Sequence, residues 1–166
     1  PAVGMAPIKE TLAAGLMRMT EWDGSNNLVD PLCGSGTLLI EAVSILLGIA
    51  SVTERQFQFK HWPDFDKFIW DKELRMAKKI KSLNDNLPKI IGCEVDEMIA
   101  NSAIDNVIKA GLENYIDIIN CPFQEFQLPP GLGLLICNPP YGKRIGDENE
   151  LSNLYKQLGE YCKKQA

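Results

Sequence analysis

Residues 28–43 read Leu-Val-Asp-Pro-Leu-Cys-Gly-Ser-Gly-Thr-Leu-Leu-Ile-Glu-Ala-Val, and this stretch decides the fold. Its short apolar start predicts a buried strand that ends at Asp30-Pro31, because proline cannot donate a hydrogen bond to a sheet. Gly34 and Gly36 allow a tight turn. The apolar positions between Leu38 and Ile49 then predict a helix with a wide apolar face. A strand, a glycine turn and a helix in this order are typical of an α/β fold.

Strand and helix patterns continue to alternate along the chain, which predicts a mostly parallel sheet with helices on both of its faces. The further predicted strands are residues 90–96, 115–119 and 134–137, and the further predicted helices are residues 7–19, 70–83, 98–110 and 150–164. Residues 51–89 form an aromatic-rich insertion, which we expect to pack against the edge of the domain. The length of 166 residues predicts a single domain over residues 1–166.

The composition excludes several classes of protein. The net charge of −5 argues against a free-standing nucleic-acid-binding domain, which would carry a basic face. The five cysteines are scattered without a Cys-x-x-Cys pair, and the single histidine cannot complete a zinc site with them, so we predict no metal. No apolar run is long enough to span a membrane. Free cysteines in apolar runs are typical of a reducing compartment, so we expect a cytoplasmic protein.

The loop from Asp30 to Thr37 is a candidate binding site for a nucleoside cofactor. A dinucleotide fingerprint would need a third glycine where Leu39 stands, and a phosphate-binding loop would need a Gly-Lys-Ser/Thr ending that is missing here. The pattern Asp-x-x-Cys-Gly-Ser-Gly-Thr instead resembles the first nucleoside-binding motif of class I methyltransferases, which use S-adenosylmethionine. In such a site the glycines let the backbone approach the methionine part of the cofactor, and Asp30 orients its amino group.

This resemblance implies cofactor-binding residues at the carboxyl ends of three predicted strands. Glu94 ends the second strand, where a carboxylate can accept both ribose hydroxyls, and Asp96 is expected to cap the next helix. Family members often have an acidic residue after the third strand to bind the adenine amino group, whereas this chain has Asn120-Cys-Pro-Phe123. The predicted cofactor-binding set is Asp30, Pro31, Cys33, Gly34, Ser35, Gly36, Thr37, Glu94, Cys121 and Phe123, with Phe123 as a candidate stacking partner.

A second candidate site follows the fourth predicted strand, where the chain reads Asn138-Pro-Pro-Tyr-Gly-Lys-Arg144. The prolines end the sheet pairing, so Asn138 and Tyr141 lie at the carboxyl end of a strand, where open α/β sheets bind ligands. Asn-Pro-Pro-Tyr resembles the catalytic motif of amino-group methyltransferases. The Asn138 side-chain oxygen and the Pro139 carbonyl would accept the two N–H bonds of the target amine, while Tyr141 would stack on a flipped base.

Four stretches resemble, in the right order, the bacterial RNA guanine-N2 methyltransferases that carry a THUMP domain. They are Ala6–Ala14, Asp30–Glu41, Phe59–Phe65 with its Trp62-Pro63 pair, and Asn138–Arg144. The resemblance implies methyl transfer to the N2 of a guanine in RNA, with 23S ribosomal RNA favoured over transfer RNA. Lys143 and Arg144 are candidate phosphate contacts. An adenine or a protein glutamine stays open as the target, as does a non-catalytic RNA-binding module of the same fold.

The same resemblance implies parts that this sequence does not contain. A THUMP domain would precede these residues and dock the RNA. A complete class I methyltransferase sheet has seven strands, whereas this chain predicts only four. We therefore expect the methyltransferase core, truncated after its fourth strand, of an enzyme that acts on RNA without a metal and away from membranes; alone, this core should bind the cofactor but methylate RNA poorly or not at all.

Overall fold

A computed structural model describes residues 8–49, 57–77, 88–140 and 148–165. The strands are β1 (Asn27–Asp30), β2 (Ile90–Glu94), β3 (Asp117–Asn120) and β4 (Gly133–Leu135), and the helices are α1 (Glu10–Met19), α2 (Thr37–Leu47), α3 (Lys67–Ala77), α4 (Glu97–Lys109) and α5 (Glu148–Gln165). Every strand pairing among the described residues is parallel, and the sheet order is β3-β2-β1-β4. The predicted four-stranded parallel sheet is confirmed.

Helices cover both faces of this sheet, as the alternation of strand residues requires. Leu28 and Ile90 point into the main core, which contains buried side chains of α1, α2 and α4. Val29 lies on the other face, where it lines a cavity of about 560 Å³ together with Leu135 of β4 and Cys162 of α5. The central strand β2 is buried at all five positions, which is the pattern of a parallel strand that is covered on both sides.

Gly92 has no room for a side chain in the centre of β2. A Cβ atom on Gly92 would lie 2.8 Å from the Cys33 Sγ atom and 2.9 Å from the Ile118 Cδ1 atom. We expect Gly92→Ala to lower the free energy of unfolding by about 1–3 kcal/mol, because an overpacked core must shift its neighbours. Urea denaturation measures this loss. The control is Gly15→Ala in α1, where a Cβ meets no atom within 4 Å and alanine favours the helix. Equal stability of the two variants would contradict the packing described for Gly92.

The aromatic insertion differs from the prediction in its packing. Its rings contact one another, with centroid distances of 5.2 to 5.9 Å among Phe57, Phe59, Phe65 and Trp70. Trp62 and Phe68 are exposed, so the expected packing against the domain edge is wrong for these two side chains.

The α-helix of the insertion begins earlier than predicted. Helix α3 starts at Lys67 rather than at Trp70, because Asp66 Oδ1 accepts hydrogen bonds from the N–H groups of Phe68 and Ile69 and so caps the helix. The predicted extension over residues 78–83 lies outside the described residues, as does the predicted start of α1 at Pro7.

Candidate active site

The carboxyl ends of the parallel strands lie at one edge of the sheet, which is where ligands bind in open α/β folds. Asp30 ends β1 and Glu94 ends the neighbouring strand β2. On the other side of β1, the Ile136 N–H donates to the Val29 carbonyl at 3.0 Å. Asn138 follows two residues later, so it leaves the sheet at the same edge as the loop after Asp30. The structure therefore places the loop after Asp30 and the described part of the second predicted site, Asn138 to Pro140, at the same edge of the sheet.

The loop between β1 and α2 has the tight turn that its glycines predict. Gly34 has a φ of +55° and Gly36 a φ of +80°, values that residues with a Cβ atom rarely adopt. The Gly36 N–H donates to the Cys33 carbonyl at 2.9 Å and closes the turn. The Ser35 and Thr37 hydroxyl oxygens lie 3.1 Å apart at the start of α2. Pro31, at the start of the loop, is fully buried.

Glu94 fixes this loop against β2. Its carboxylate accepts one hydrogen bond from the Gly34 N–H at 3.1 Å and another, through its second oxygen, from the Asp96 N–H at 2.9 Å. Each oxygen keeps a further lone pair for a ligand. Asp96 Oδ1 accepts hydrogen bonds from the Met98 and Ile99 N–H groups, which confirms the predicted N-cap of α4.

Asp30 is buried beside Glu94 without a positive charge to balance it. Its side chain is 1% exposed, and Oδ1 accepts a hydrogen bond from the Leu32 N–H at 3.1 Å. Burial raises the pKa of Asp30 to about 7; the Leu32 N–H opposes this rise and the charge of Glu94 adds to it. Within the described ranges, neither carboxylate forms an ion pair with a lysine or arginine. This arrangement favours a ligand that carries positive charge.

The raised pKa of Asp30 predicts a loss of stability with rising pH. The folded protein keeps a proton on Asp30 up to about pH 7, whereas the unfolded chain releases it near the ordinary value of 3.8. Between these values the free energy of unfolding should fall by up to about 1.4 kcal/mol per pH unit. Denaturation of the ligand-free protein across this range measures the slope. In Asp30→Asn this side chain cannot ionise, so the free energy of unfolding should depend less on pH. Identical slopes in the two proteins would contradict the burial of an unpaired carboxyl.

The segment after β3 contacts Glu94 with its backbone and buries its aromatic ring. The Cys121 N–H donates to the Glu94 carbonyl at 3.1 Å. Phe123 is 4% exposed and packs edge to face on Tyr161 of α5, with 5.5 Å between ring centroids. Stacking of adenine on Phe123 stays a prediction, as does a cofactor contact of Cys121.

The Asn-Pro-Pro segment after β4 is half-buried and is supported by α5. The Tyr155 hydroxyl donates to the Pro140 carbonyl at 3.3 Å. The Asn138 side chain forms no hydrogen bond to another described residue, which leaves its amide available to a ligand. Pro139 follows it at the same edge. The remaining predicted residues of this site, Tyr141, Lys143 and Arg144, lie outside the described residues.

Comparison with known proteins identifies the family. A family model described as "RMKL-like, methyltransferase domain" matches residues 1–166. The chain belongs to this family. The RMKL-like domain is 42% identical over 166 residues to the ribosomal RNA large subunit methyltransferase K/L of Marinomonas sp. (strain MWYL1), a match that covers 95% of this chain and 23% of that protein.

Two solved structures share the fold of this RMKL-like domain. SMU.472, crystallised as a complex with SAH, superposes with a TM-score of 0.88 at 33% identity over 97% of this chain and 42% of that one. A predicted N6-adenine-specific DNA methylase from Listeria monocytogenes str. 4b F2365 superposes with a TM-score of 0.84 at 35% identity over 99% of this chain and 43% of that one. The chain thus spans less than half the length of each of these three proteins.

Two asparagines of the RMKL-like domain contact the candidate site and were not predicted from the sequence. Asn106 Nδ2 donates to the Ser35 carbonyl at 3.1 Å, and Asn120 Nδ2 donates to the Glu94 carbonyl at 2.8 Å. One signal was available for Asn106. Asparagine is a poor helix former, yet this one lies inside α4, three residues after the buried Ala103.

The described part of the RMKL-like domain has no helix that is long and apolar enough to cross a membrane. The same residues include no group of three or more His, Cys, Asp or Glu side chains that is placed to hold a metal ion. All five cysteines are free thiols, of which Cys33 and Cys93 are buried.

Proposed function

We propose that this domain transfers a methyl group from S-adenosylmethionine to the exocyclic N2 amine of a guanine in RNA, with 23S ribosomal RNA as the favoured substrate. One observation carries the proposal: a glycine loop fixed by Glu94 lies at the same sheet edge as the Asn138-Pro-Pro segment. The names of two similar proteins support it, since one is a ribosomal RNA large subunit methyltransferase K/L and the other was solved with SAH.

The residues present fit a nucleoside cofactor with a positively charged sulfur. A Cβ atom at Gly34 would meet nothing within 4 Å, so the loop backbone is open to a ligand there. The free lone pairs of Glu94 suit two ribose hydroxyls. The buried Asp30 beside Glu94 suits a cationic ligand. We assign cofactor binding to Asp30, Pro31, Cys33, Gly34, Ser35, Gly36, Thr37, Glu94, Cys121 and Phe123.

The catalytic role falls to the Asn-Pro-Pro-Tyr segment. Bound S-adenosylmethionine supplies a methyl group that its positive sulfur activates, but an exocyclic amine is a poor nucleophile because its lone pair is delocalised into the ring. The Asn138 side-chain oxygen and the Pro139 carbonyl accept the two N–H bonds and direct the lone pair at the methyl group, while Tyr141 stacks on the base. The bound cofactor would give its methyl group to the amine nitrogen and would leave as SAH, and the amine would release one proton to solvent. Catalysis here is positioning and electrostatics.

RNA docking requires more positive charge than this chain offers. Contacts from clustered lysines and arginines to phosphates supply much of the affinity for RNA, whereas the net charge here is −5. We infer that a THUMP domain elsewhere in the same polypeptide docks the RNA, and that Lys143 and Arg144 contact phosphates beside the target base. A ribosomal RNA substrate would place the reaction in the cytoplasm.

The chromatographic retention and the mass of the methylated nucleoside together test this proposal. The full-length protein is incubated with methyl-labelled S-adenosylmethionine and unmodified large-subunit ribosomal RNA, which is then digested to nucleosides. We expect labelled N2-methylguanosine, and labelling slower by about 100-fold or more with an Asn138→Ala protein. Labelled N6-methyladenosine would show that the target base is adenine and not guanine. Label on a glutamine of added protein would exclude RNA as the substrate, and SAH binding without any transfer would favour a non-catalytic RNA-binding module.

A further inference from the structure

Helix α4 contacts the glycine loop at two neighbouring points. Asn106 Nδ2 donates to the Ser35 carbonyl at 3.1 Å across 71 positions of sequence. One helical turn earlier, Ala103 lies against the same loop, since a Cβ atom on Gly36 would lie 3.6 Å from the Ala103 Cβ atom. Ala103 is fully buried. The loop is therefore held from the side of α4 by one hydrogen bond, next to the buried Ala103 side chain.

The Asn106 hydrogen bond fixes one end of a peptide group whose other end is also held. The Ser35 carbonyl accepts from Asn106, and the N–H of the same peptide, which belongs to Gly36, donates to the Cys33 carbonyl at 2.9 Å. The adjoining Gly34 N–H is held by Glu94. Glycine permits many backbone conformations, so this loop depends on its hydrogen bonds to keep one of them.

We propose that Asn106 is a positioning residue for the cofactor site: it holds the Ser35–Gly36 peptide in the orientation that S-adenosylmethionine binding requires. The inference rests on the proposed function. Loss of the amide donor leaves the half-buried Ser35 carbonyl without its partner. We expect cofactor affinity to fall roughly 5- to 100-fold, because part of the binding free energy is then used to order the loop.

Asn106→Asp gives a readout that a merely structural role would not produce. The two side chains have the same shape, but only a protonated carboxyl can donate to the Ser35 carbonyl, whereas an ionised one repels it. We expect the ratio of SAH dissociation constants, variant over wild type, to be large at about pH 8 and to fall as the pH approaches the ordinary aspartate pKa of about 4, where the carboxyl gains a proton. Taking the ratio at each pH cancels the titration of Asp30, which both proteins share.

Titration calorimetry on the full-length protein measures these ratios. Asn101→Asp is the matched control, because the Asn101 side chain is exposed on the same helix and forms no hydrogen bond to another described residue. Asn106→Ala removes the donor without adding charge, and it should weaken binding at every pH. A ratio near one for both Asn106 variants, or one equal to that of Asn101→Asp, would overturn the inference. A wild-type protein that binds no SAH would overturn the proposed function instead.

Discussion

Asn138→Ala should slow methyl transfer by about 100-fold or more while leaving the affinity for SAH nearly unchanged. The Asn138 side chain makes no hydrogen bond to another described residue, so its removal costs the folded domain little. Its oxygen is proposed to hold the target amine, and the alignment of that amine matters most in the transition state. An interaction of that kind lowers kcat when it is lost rather than the binding of the cofactor.

Single-turnover transfer to guanine-containing RNA measures the effect, and calorimetry with SAH measures cofactor binding in the same preparation. Asn114→Ala serves as the control, because Asn114 is exposed in the turn between α4 and β3 and forms no hydrogen bond to a described residue. Near-normal turnover by Asn138→Ala would show that the Asn-Pro-Pro turn is structural in this protein.

Gly34→Val should abolish most of the affinity for SAH. Valine at a φ of +55° is strained, and its side chain would occupy the open space above the loop where the cofactor is proposed to lie. Strain of this kind costs about 1–3 kcal/mol, and displacement of the Gly34 N–H from Glu94 adds to it. We expect affinity to fall by about 100-fold or more.

Gly111→Val is the control that separates the effect of backbone strain from the effect of a side chain in the cofactor site. Gly111 has a φ of +69° and nothing within 4 Å of its Cβ position, so valine there meets the same backbone cost. It lies after the carboxyl end of α4, at the opposite end of that helix from Asp96. Both variants should melt at a lower temperature, but only Gly34→Val should lose SAH. If Gly34→Val does not fold, the SAH affinity of Gly34→Ala is compared with that of wild type instead. Equal SAH affinity in wild type and the Gly34 variants would refute the assignment of this loop.

The sequence predicted the order of strands and helices because each of these elements has a local pattern. The glycine turn, the acidic end of β2 and the Asp96 cap depend on neighbouring residues alone, and the structure contains all three. Strand boundaries were less predictable. Tyr115 was expected to start β3, but its N–H and that of Ile116 donate to the Leu112 carbonyl, so the strand begins at Asp117.

The contacts that support the candidate site could not be predicted, because they join residues that are far apart in sequence. Asn106 and Ser35 are separated by 71 positions, and Asn120 and Glu94 by 26. An asparagine in a helix indicates an unusual position, but the sequence does not show which residue its side chain hydrogen-bonds. The burial of Phe123 against Tyr161 depends likewise on where α5 packs, which no local pattern specifies.

A crystal structure of this domain with SAH tests the central claim most directly. We expect the ribose hydroxyls to lie within hydrogen-bonding distance of the Glu94 carboxylate, the homocysteine part to lie against the backbone of Gly34 to Gly36, and the sulfur to face the Asn138 side chain. A ligand bound elsewhere, for example in the cavity beside β4 that Val29 and Cys162 line, with no contact to Glu94, would contradict it.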